Sequence, residues 1–512
     1  MSVLSKRELK FLEAVSQIAY SNHFLPEFVD LERTALGPDF EAGEPVWSAS
    51  VADPDAVRPN IVKLQQKLEP LLKNVRDRLV SAPSDIAPHE LAIYEDCAHY
   101  LLYHRFYYQF VAATKNFNWR FYRDYITGWQ YFFEIPGKQF EAALEPVHVF
   151  ACFHQIQRAF RHIFDNIIGS SLPAAQLRAS IWQSIFTHDM RRYRRTMYRK
   201  MGDLPTLITG PSGTGKELVA RAIAGSRYVP FQPDRLEFAD QKTETFLPIN
   251  IAALPSALIE SELFGHRRGA FTGAVGDRKG WLETCPPLGS VFLDEIGEMD
   301  VALQVKLLRV LETRTFSPLG DTAVRVFHGK LIAATNRRLD VEIREKRFRE
   351  DLYYRLCADL ITTPALADQI ESSPEVLDEL LFYMTRRVVG EEAERCFPEI
   401  KEWIRTQLPR DYRWPGNYRE LEQCVRNIVI RRSYHPIPKP PDESNFFFAD
   451  FREGRLTASQ VLAHYAALIY RQTGSYEETA RRLQLDRRTV KAKVTEYHTQ
   501  TCRDLVESGN QD

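Results

Sequence analysis

The sequence predicts a multidomain chain: an α-helical amino-terminal domain, a central α/β P-loop nucleotide-binding domain, and a carboxyl-terminal three-helix helix-turn-helix module. Three observations carry this reading. Residues Thr206 to Glu217 read Thr-Leu-Ile-Thr-Gly-Pro-Ser-Gly-Thr-Gly-Lys-Glu, a short apolar strand, a glycine-rich turn and a helix start. Apolar residues three and four apart recur through residues 1–163 without strand alternation. Near the end of the chain, Gly474-Ser475 and Asp486 punctuate short helical segments as caps do. With 512 residues there is room for about three or four domains, each with its own core. The formal net charge is −1, so any affinity for nucleic acid has to come from a local basic patch. No run of about 18 uncharged apolar residues is present to span a bilayer. The charged, amphipathic start Met1-Ser2-Val3-Leu4-Ser5-Lys6-Arg7-Glu8 is unlike an apolar signal core, so a cytoplasmic protein without membrane association is expected. The seven cysteines are scattered without C-x-x-C spacing, which points to neither a disulfide framework nor a zinc site.

In chain order, Glu8 to Val15 and Ile61 to Leu72 each gather their apolar residues on one helical face. Residues 1–163 therefore read as a helical regulatory or sensor domain, with loops around 45–59 and 81–88 where Pro and Asp cluster. Its centre is dense in rings: Tyr103, Phe106, Tyr107, Tyr108 and Phe110, then Phe117, Trp119, Phe121, Tyr122, Tyr125, Trp129, Tyr131, Phe132 and Phe133. These rings either fill a helical core or domain interface, or wall a pocket for a small signal molecule. The β/α alternation of a phosphorylated receiver domain is not visible, which argues against a phosphorelay input.

From about Phe164 the character changes. Ile167-Ile168-Gly169-Ser170-Ser171 precedes a helix from Ala174 to Phe186. The basic run Arg191-Arg192-Tyr193-Arg194-Arg195, with Arg199 and Lys200, reads as a solvated helix face or as a phosphate or partner contact. In the loop that follows, Gly210, Gly213 and Gly215 let backbone N–H groups converge on phosphate oxygens; the helix start adds its positive end and Lys216 a point charge. Ser212, Thr214 and Glu217 complete the candidate cradle. The strand Val291-Phe292-Leu293 ends in Asp294-Glu295, where a magnesium-positioning and a water-activating carboxylate belong in phosphoryl transfer. Glu217 stands where the generic loop places a Ser or Thr hydroxyl on Mg²⁺, so metal coordination is not copied from the generic pattern. Asn250 follows the strand Phe246-Leu247-Pro248-Ile249. Beyond Glu260-Ser261-Glu262-Leu263-Phe264-Gly265-His266, the segment Gly269-Ala270-Phe271-Thr272-Gly273-Ala274 surrounds a Phe-Thr pair with small residues, as suits a loop tip that presents an aromatic to a partner.

These motifs, together with Phe-Leu-Asp-Glu-Ile-Gly-Glu at 292–298, resemble the central AAA+ domain of bacterial enhancer-binding proteins, the activators of sigma-54 RNA polymerase. The resemblance spans about residues 164–432, with the lid at about 365–432. It implies ATP and Mg²⁺ as cofactors, with Lys216 on the β and γ phosphates, Asp294 organising the metal and Glu295 polarising the attacking water. It further implies Asn250 as a switch for Glu295, Asn336 in Ala334-Thr335-Asn336 as sensor I, and Arg419 in Trp414-Pro415-Gly416-Asn417-Tyr418-Arg419 as sensor II. Arg349 and Arg355 match arginine fingers that reach the ATP of the next subunit, which implies a homo-hexameric ring. Phe271 and Thr272 match the residues that engage the sigma factor. Glu217 is a residue the family itself carries there, whereas Pro211 is often Glu. The family's Pro-Pro-Leu-Arg-Glu-Arg segment is replaced by Pro364-Ala365-Leu366-Ala367-Asp368-Gln369-Ile370, which puts lid coupling in question.

Residues 433–455, with Pro436, Pro438, Pro440, Pro441 and Phe446-Phe447-Phe448, read as a linker. Residues 456–512 read as three helices, Ala458 to Tyr470, Tyr476 to Leu483 and Arg487 to Tyr497, and resemble a Fis-type domain. Arg487, Arg488, Thr489, Lys491 and Lys493 near the start of the third would face double-stranded DNA; a plain three-helix module with a basic surface is the alternative. The functional expectation is an ATP-driven activator that remodels sigma-54 polymerase from upstream DNA. Two other readings stay open: a DNA-binding regulator with a vestigial ATPase, and an AAA+ remodeller of a partner outside transcription.

Overall fold

In the computed structural model, which describes residues 3–42, 58–82, 86–140, 145–239, 245–436, 451 and 454–508, the amino-terminal periodicity becomes a packed set of helices. They are α1 (Lys6–Tyr20), α2 (Pro26–Leu36), α3 (Pro59–Ser81), α4 (Pro88–Arg105), α5 (Tyr107–Asn116), α6 (Tyr122–Phe133) and α7 (Pro146–Asn166). Local chemistry sets the first boundary: Ser5 Oγ accepts from Glu8 N while the Glu8 carboxylate accepts from Ser5 N, a capping box. The loop expected around 45–59 and the Phe-rich linker segment fall largely outside the described residues.

Most of the aromatic stretch is core, though Tyr108, Phe117 and Tyr131 are exposed. Phe110, Tyr125, Trp129 and Phe132 are 0–2% exposed, and Phe150 of α7 lies 4.9 Å from Phe110 and 5.0 Å from Tyr125 between ring centroids. This core does not stop at residue 163. The position falls inside α7, which packs along the helix after the phosphate loop, α10 (Lys216–Gly225). A short hairpin, β2 (Phe231–Gln232) and β3 (Glu237–Phe238), inserts Phe231 and Phe238 among the same rings, Phe238 at 4.7 Å from Trp119 and Phe231 at 4.7 Å from Phe150. Helical region and nucleotide-binding region therefore share one apolar interior.

Between them run α8 (Leu172–Phe186) and α9 (Met190–Arg195). The solvated face expected for the basic run is found only in part. Arg192 and Arg195 are exposed, but Arg191 Nε donates to Asp96 Oδ2 at 3.1 Å and Arg194 Nη2 to Glu95 Oε1 at 3.0 Å. Glu95 and Asp96 are buried on α4 and need cations, so α9 turns two arginines inward.

The central sheet is wholly parallel, in the order β4 (Phe246–Asn250), β5 (Ser290–Asp294), β8 (Lys330–Thr335), β1 (Thr206–Thr209), β9 (Leu360–Thr362). Its inner strands are near-continuous apolar runs, as a sheet covered on both faces requires. Between β4 and β8 lie α11 (Ser256–Phe264), α12 (Trp281–Thr284), α13 (Val301–Thr313) and the small antiparallel pair β6 (Thr315–Phe316) and β7 (Arg325–Val326). Beyond β8 come α14 (Leu339–Arg344) and α15 (Glu350–Leu356), and beyond β9 a helical layer of α16 (Leu366–Ser372), α17 (Val376–Val389), α18 (Ala393–Gln407) and α19 (Asn417–Arg431).

A second compact unit, Tyr434–Asp512, holds helices Ala458–Thr473, Tyr476–Leu483 and Arg487–Ser508. Ala466, Ala480, Val490 and Val494 form its small core. Among the described residues no helix is long and apolar enough to cross a membrane.

Candidate functional site

The phosphate loop leaves the buried strand β1 and turns through three glycines with positive φ, Gly210 at 144°, Gly213 at 78° and Gly215 at 87°. Close approach fixes the first two: a Cβ at Gly210 would strike Thr363 after β9, and one at Gly213 would strike the carbonyl of Gly416 at the start of α19. Thr214 Oγ1 lies 2.6 Å from Thr363 Oγ1. The first N–H groups of α10 lack intrahelical acceptors and project where the loop opens. Lys216 Nζ rests on the carbonyls of Gly210 and Pro211 at 3.0 and 3.1 Å, and its burial lowers the ammonium pKa.

At the mouth of the sheet the neighbouring strand ends deliver the acidic pair. Asp294 closes β5, and burial, with Glu295 beside it, raises its pKa above the usual aspartate value. Glu295 holds a left-handed backbone, φ 55°, and its Oε2 accepts from Asn336 N at 3.1 Å just past β8. Asn250 pairs in register with Asp294 across β4 and β5, while its Oδ1 accepts from Ala252 N at 2.9 Å. Glu217 lines the same cleft and pairs with Arg221 at 2.7 Å.

The lid closes the other side. Asn417 Nδ2 donates to Ser212 O at 2.9 Å, Tyr418 N to Gly213 O at 3.1 Å, and Arg419 Nη1 to Ser212 Oγ at 3.3 Å. The divergent 364–370 segment is tied into this layer without arginines: Leu366 N donates to Asn417 Oδ1 at 2.8 Å and Gln369 Nε2 to Tyr418 OH at 2.6 Å. The cleft, open to solvent on one side, measures about 470 Å³ and brings Ser212 through Glu217, Asp294, Glu295 and Arg419 together.

Sequence reasoning missed one wall of it. Asp165, Asn166, Ile167 and Ile168, at the end of α7, line the cleft opposite Leu380, Tyr383 and Met384 of α17. Arg178, 1% exposed, holds that wall by donating to Ile167 O at 3.0 and 3.1 Å. The one available signal was the apolar pair Ile167-Ile168 before Gly169; nothing marks Arg178 in the sequence.

Other predicted residues lie elsewhere. Arg349 pairs with Asp351 at 2.6 Å and Arg355 with Glu312 at 3.5 Å, both on the surface and neither in the lining of this chain's own cleft. Phe271 is 38% exposed and Thr272 is exposed, at the tip of a loop braced by Gly269 N to Ala274 O at 2.9 Å. At its base Arg267 pairs with Asp277 and Asp321 at 2.6 and 2.8 Å. In the second unit Arg487, Arg488 and Lys491 are exposed. Thr489 N donates to Asp486 Oδ1 at 2.9 Å in the helix cap, and Lys493 Nζ is engaged with Glu496 at 2.7 Å. Among the described residues no three His, Cys, Asp or Glu side chains converge as a metal cluster.

Residues 185–362, from the end of α8 to the end of β9, match the family model of the sigma-54 interaction domain. The regulatory protein LuxO of Vibrio vulnificus is 42% identical over 229 residues, 44% of this chain and 45% of that protein. The transcriptional regulatory protein GlrR of Escherichia coli is 38% identical over 277 residues, 52% of this chain and 57% of that protein. The crystal structure of NtrX from Brucella abortus aligns at 25% identity with a TM-score of 0.39, covering 70% of this chain and 76% of that one. The chain spans about half the length of the curated relatives it matches.

Proposed function

We propose that this chain is a sigma-54-dependent transcriptional activator that hydrolyses ATP to remodel the polymerase and binds upstream DNA through its last three helices. The observation that carries the reading is one domain holding both a phosphate loop facing Asp294-Glu295 and a braced, exposed Phe271-Thr272 tip, within the segment that matches the sigma-54 interaction domain.

The chemistry follows from the residues. Lys216 exchanges its two carbonyl partners for the β and γ phosphates, and the α10 N–H groups cradle the same oxygens. Asp294 is the carboxylate that would hold Mg²⁺. Mg²⁺ commonly takes one or two protein carboxylates and completes its shell with phosphate and water, a demand that Asp294 can meet. When bound, Mg²⁺ neutralises developing phosphate charge. Glu295 accepts the proton of the attacking water as the new P–O bond forms and the bond to ADP breaks; Asn336 N keeps its carboxylate at the sheet edge until then. Arg419 couples the lid to the loop through Ser212. Arg349 and Arg355 serve a neighbouring protomer's site in a homo-hexamer, which makes turnover depend on assembly.

The test is transcription by sigma-54 polymerase in vitro. Thr272→Ala is expected to keep ATP turnover within about twofold and to lose promoter opening. Open-complex formation equal to that of the parent chain would overturn the reading.

A further inference from the structure

A ring-lined cavity in the helical region takes no part in ATP hydrolysis. Its main lobe measures about 120 Å³ and a second about 70 Å³, and His23, Tyr100, Tyr103 and His104 line both. Rings alone would be core packing. In this wall, however, three polar atoms are buried and have no hydrogen-bond partner among the described residues: His23 Nδ1 and the hydroxyls of Tyr100 and Tyr103. Tyr100 is only 6% exposed. A buried polar group left unpaired costs about 1–3 kcal/mol, so this wall holds two hydroxyls free to donate and an imidazole nitrogen that donates in one tautomer.

Arg58 adds a positive charge to the same lining. Among the described residues the carboxyl that acts on it is Glu32, 4% exposed and outside the lining, and burial pushes that carboxyl up toward its neutral form. His23 and His104 are kept uncharged by burial, each lowered to about 3. The permanent charge of the cavity is therefore the guanidinium, and the free hydrogen-bonding groups are ones that can donate.

We propose that this cavity is a regulatory site for a small aromatic carboxylate, its ring against Tyr100, Tyr103 and Phe160 and its acid group on Arg58 and the tyrosine hydroxyls. The main lobe, about 120 Å³, is somewhat smaller than a dry cavity of about 150 Å³ that admits benzene, so one ring with a short substituent takes the room of both lobes. Phe160 and Phe164 carry the cavity wall on α7, and the residues that follow directly, Asp165 to Ile168, line the nucleotide cleft. An occupant that shifts α7 changes the nucleotide wall, so acid and ATP affinities are linked reciprocally. The inference rests on a regulatory role for the helical region; its readout is binding, so it fails separately from the transcriptional reading.

The experiment is saturation-transfer NMR on the full chain with benzoate, salicylate and phenylacetate, with phenol as the neutral control. At least one acid is expected to bind saturably, at least about fivefold tighter than phenol. Arg58→Gln is expected to weaken it at least about tenfold and Tyr103→Trp, which fills the cavity, to abolish it. Both variants should still bind a fluorescent ATP analogue, as proof of folding. In the parent chain the acid should shift that analogue's affinity at least about twofold. No acid binding below about 10 mM, or binding unchanged in both variants, overturns the site. Phenol binding as tightly overturns the acid assignment, and an unmoved ATP-analogue affinity overturns the coupling.

Discussion

In the proposed hydrolysis Glu295 is the residue on which the chemistry turns, and its backbone shows what holding it costs. A non-glycine residue at φ 55° stores strain of about 1 kcal/mol or more, sustained here because β5 fixes one side and Asn336 N grips the carboxylate. Glu295→Gln keeps the size and the hydrogen-bond acceptor but cannot take a proton. The expected outcome is ATP-analogue affinity within about threefold of the parent and hydrolysis lower by at least about 100-fold, measured by equilibrium binding and phosphate release. A variant that loses binding as well would move Glu295 from base to structural support. Asn250, one strand away, has its side chain on Ala252 N, so a switching role requires that it first leave a capping bond of about 1 kcal/mol.

Between elements, the joint of α9 on α4 carries the largest electrostatic stake in the helical region. Arg194 and Glu95 have side chains only 12% and 7% exposed at 3.0 Å, so removing the guanidinium strands a buried carboxylate's charge. Arg194→Ala should destabilise the first unit by about 3 kcal/mol in urea denaturation, and Arg194→Met paired with Glu95→Leu should recover most of it. The rings beside this joint set an acid limit. His23 and His104 fall from an ordinary 6.5 to about 3 through burial, with Arg58 adding to both. The unfolded chain then binds protons that the folded one refuses. Stability is full above about pH 6.5 and is lost as pH drops from there toward 3. His104→Phe should flatten the slope of unfolding free energy between about pH 7 and 5, a range above most carboxylate titrations. These joints show where the sequence stops being readable. The phosphate loop and the Asp294-Glu295 strand end are legible because local backbone geometry dictates their residues. The aromatic density likewise announces a core. The inward turn of Arg191 and Arg194 depends on carboxylates some 95 residues away, and the Ile167-Ile168 wall on a cleft assembled from stretches far apart in the chain. Periodicity carries no information about either.

At the scale of the whole molecule, the proposed mechanism completes the cleft of one chain with arginines of its neighbour. The cleft's own lining holds Lys216, the Asp294-Glu295 pair and three arginines, Arg221, Arg387 and Arg419, of which Arg221 is held by Glu217; in the proposed mechanism the charge that builds on a γ-phosphate in flight is met by a further guanidinium from a neighbour. Arg349 and Arg355 are surface arginines held by exposed partners, Asp351 and Glu312, and such exposed pairs are worth at most about 1 kcal/mol, so releasing either arginine to an adjoining protomer costs little. Two outcomes follow from a site shared between protomers. Turnover per chain should rise with concentration and level off once rings form, as read by phosphate release beside sedimentation. Mixing Glu295→Gln with Arg349→Ala, each inactive alone, should recover activity, because random neighbours place an intact base beside an intact finger at about a quarter of the boundaries. Fingers acting within their own chain would give no recovery at any mixing ratio, since every chain would then lack one half of its own site.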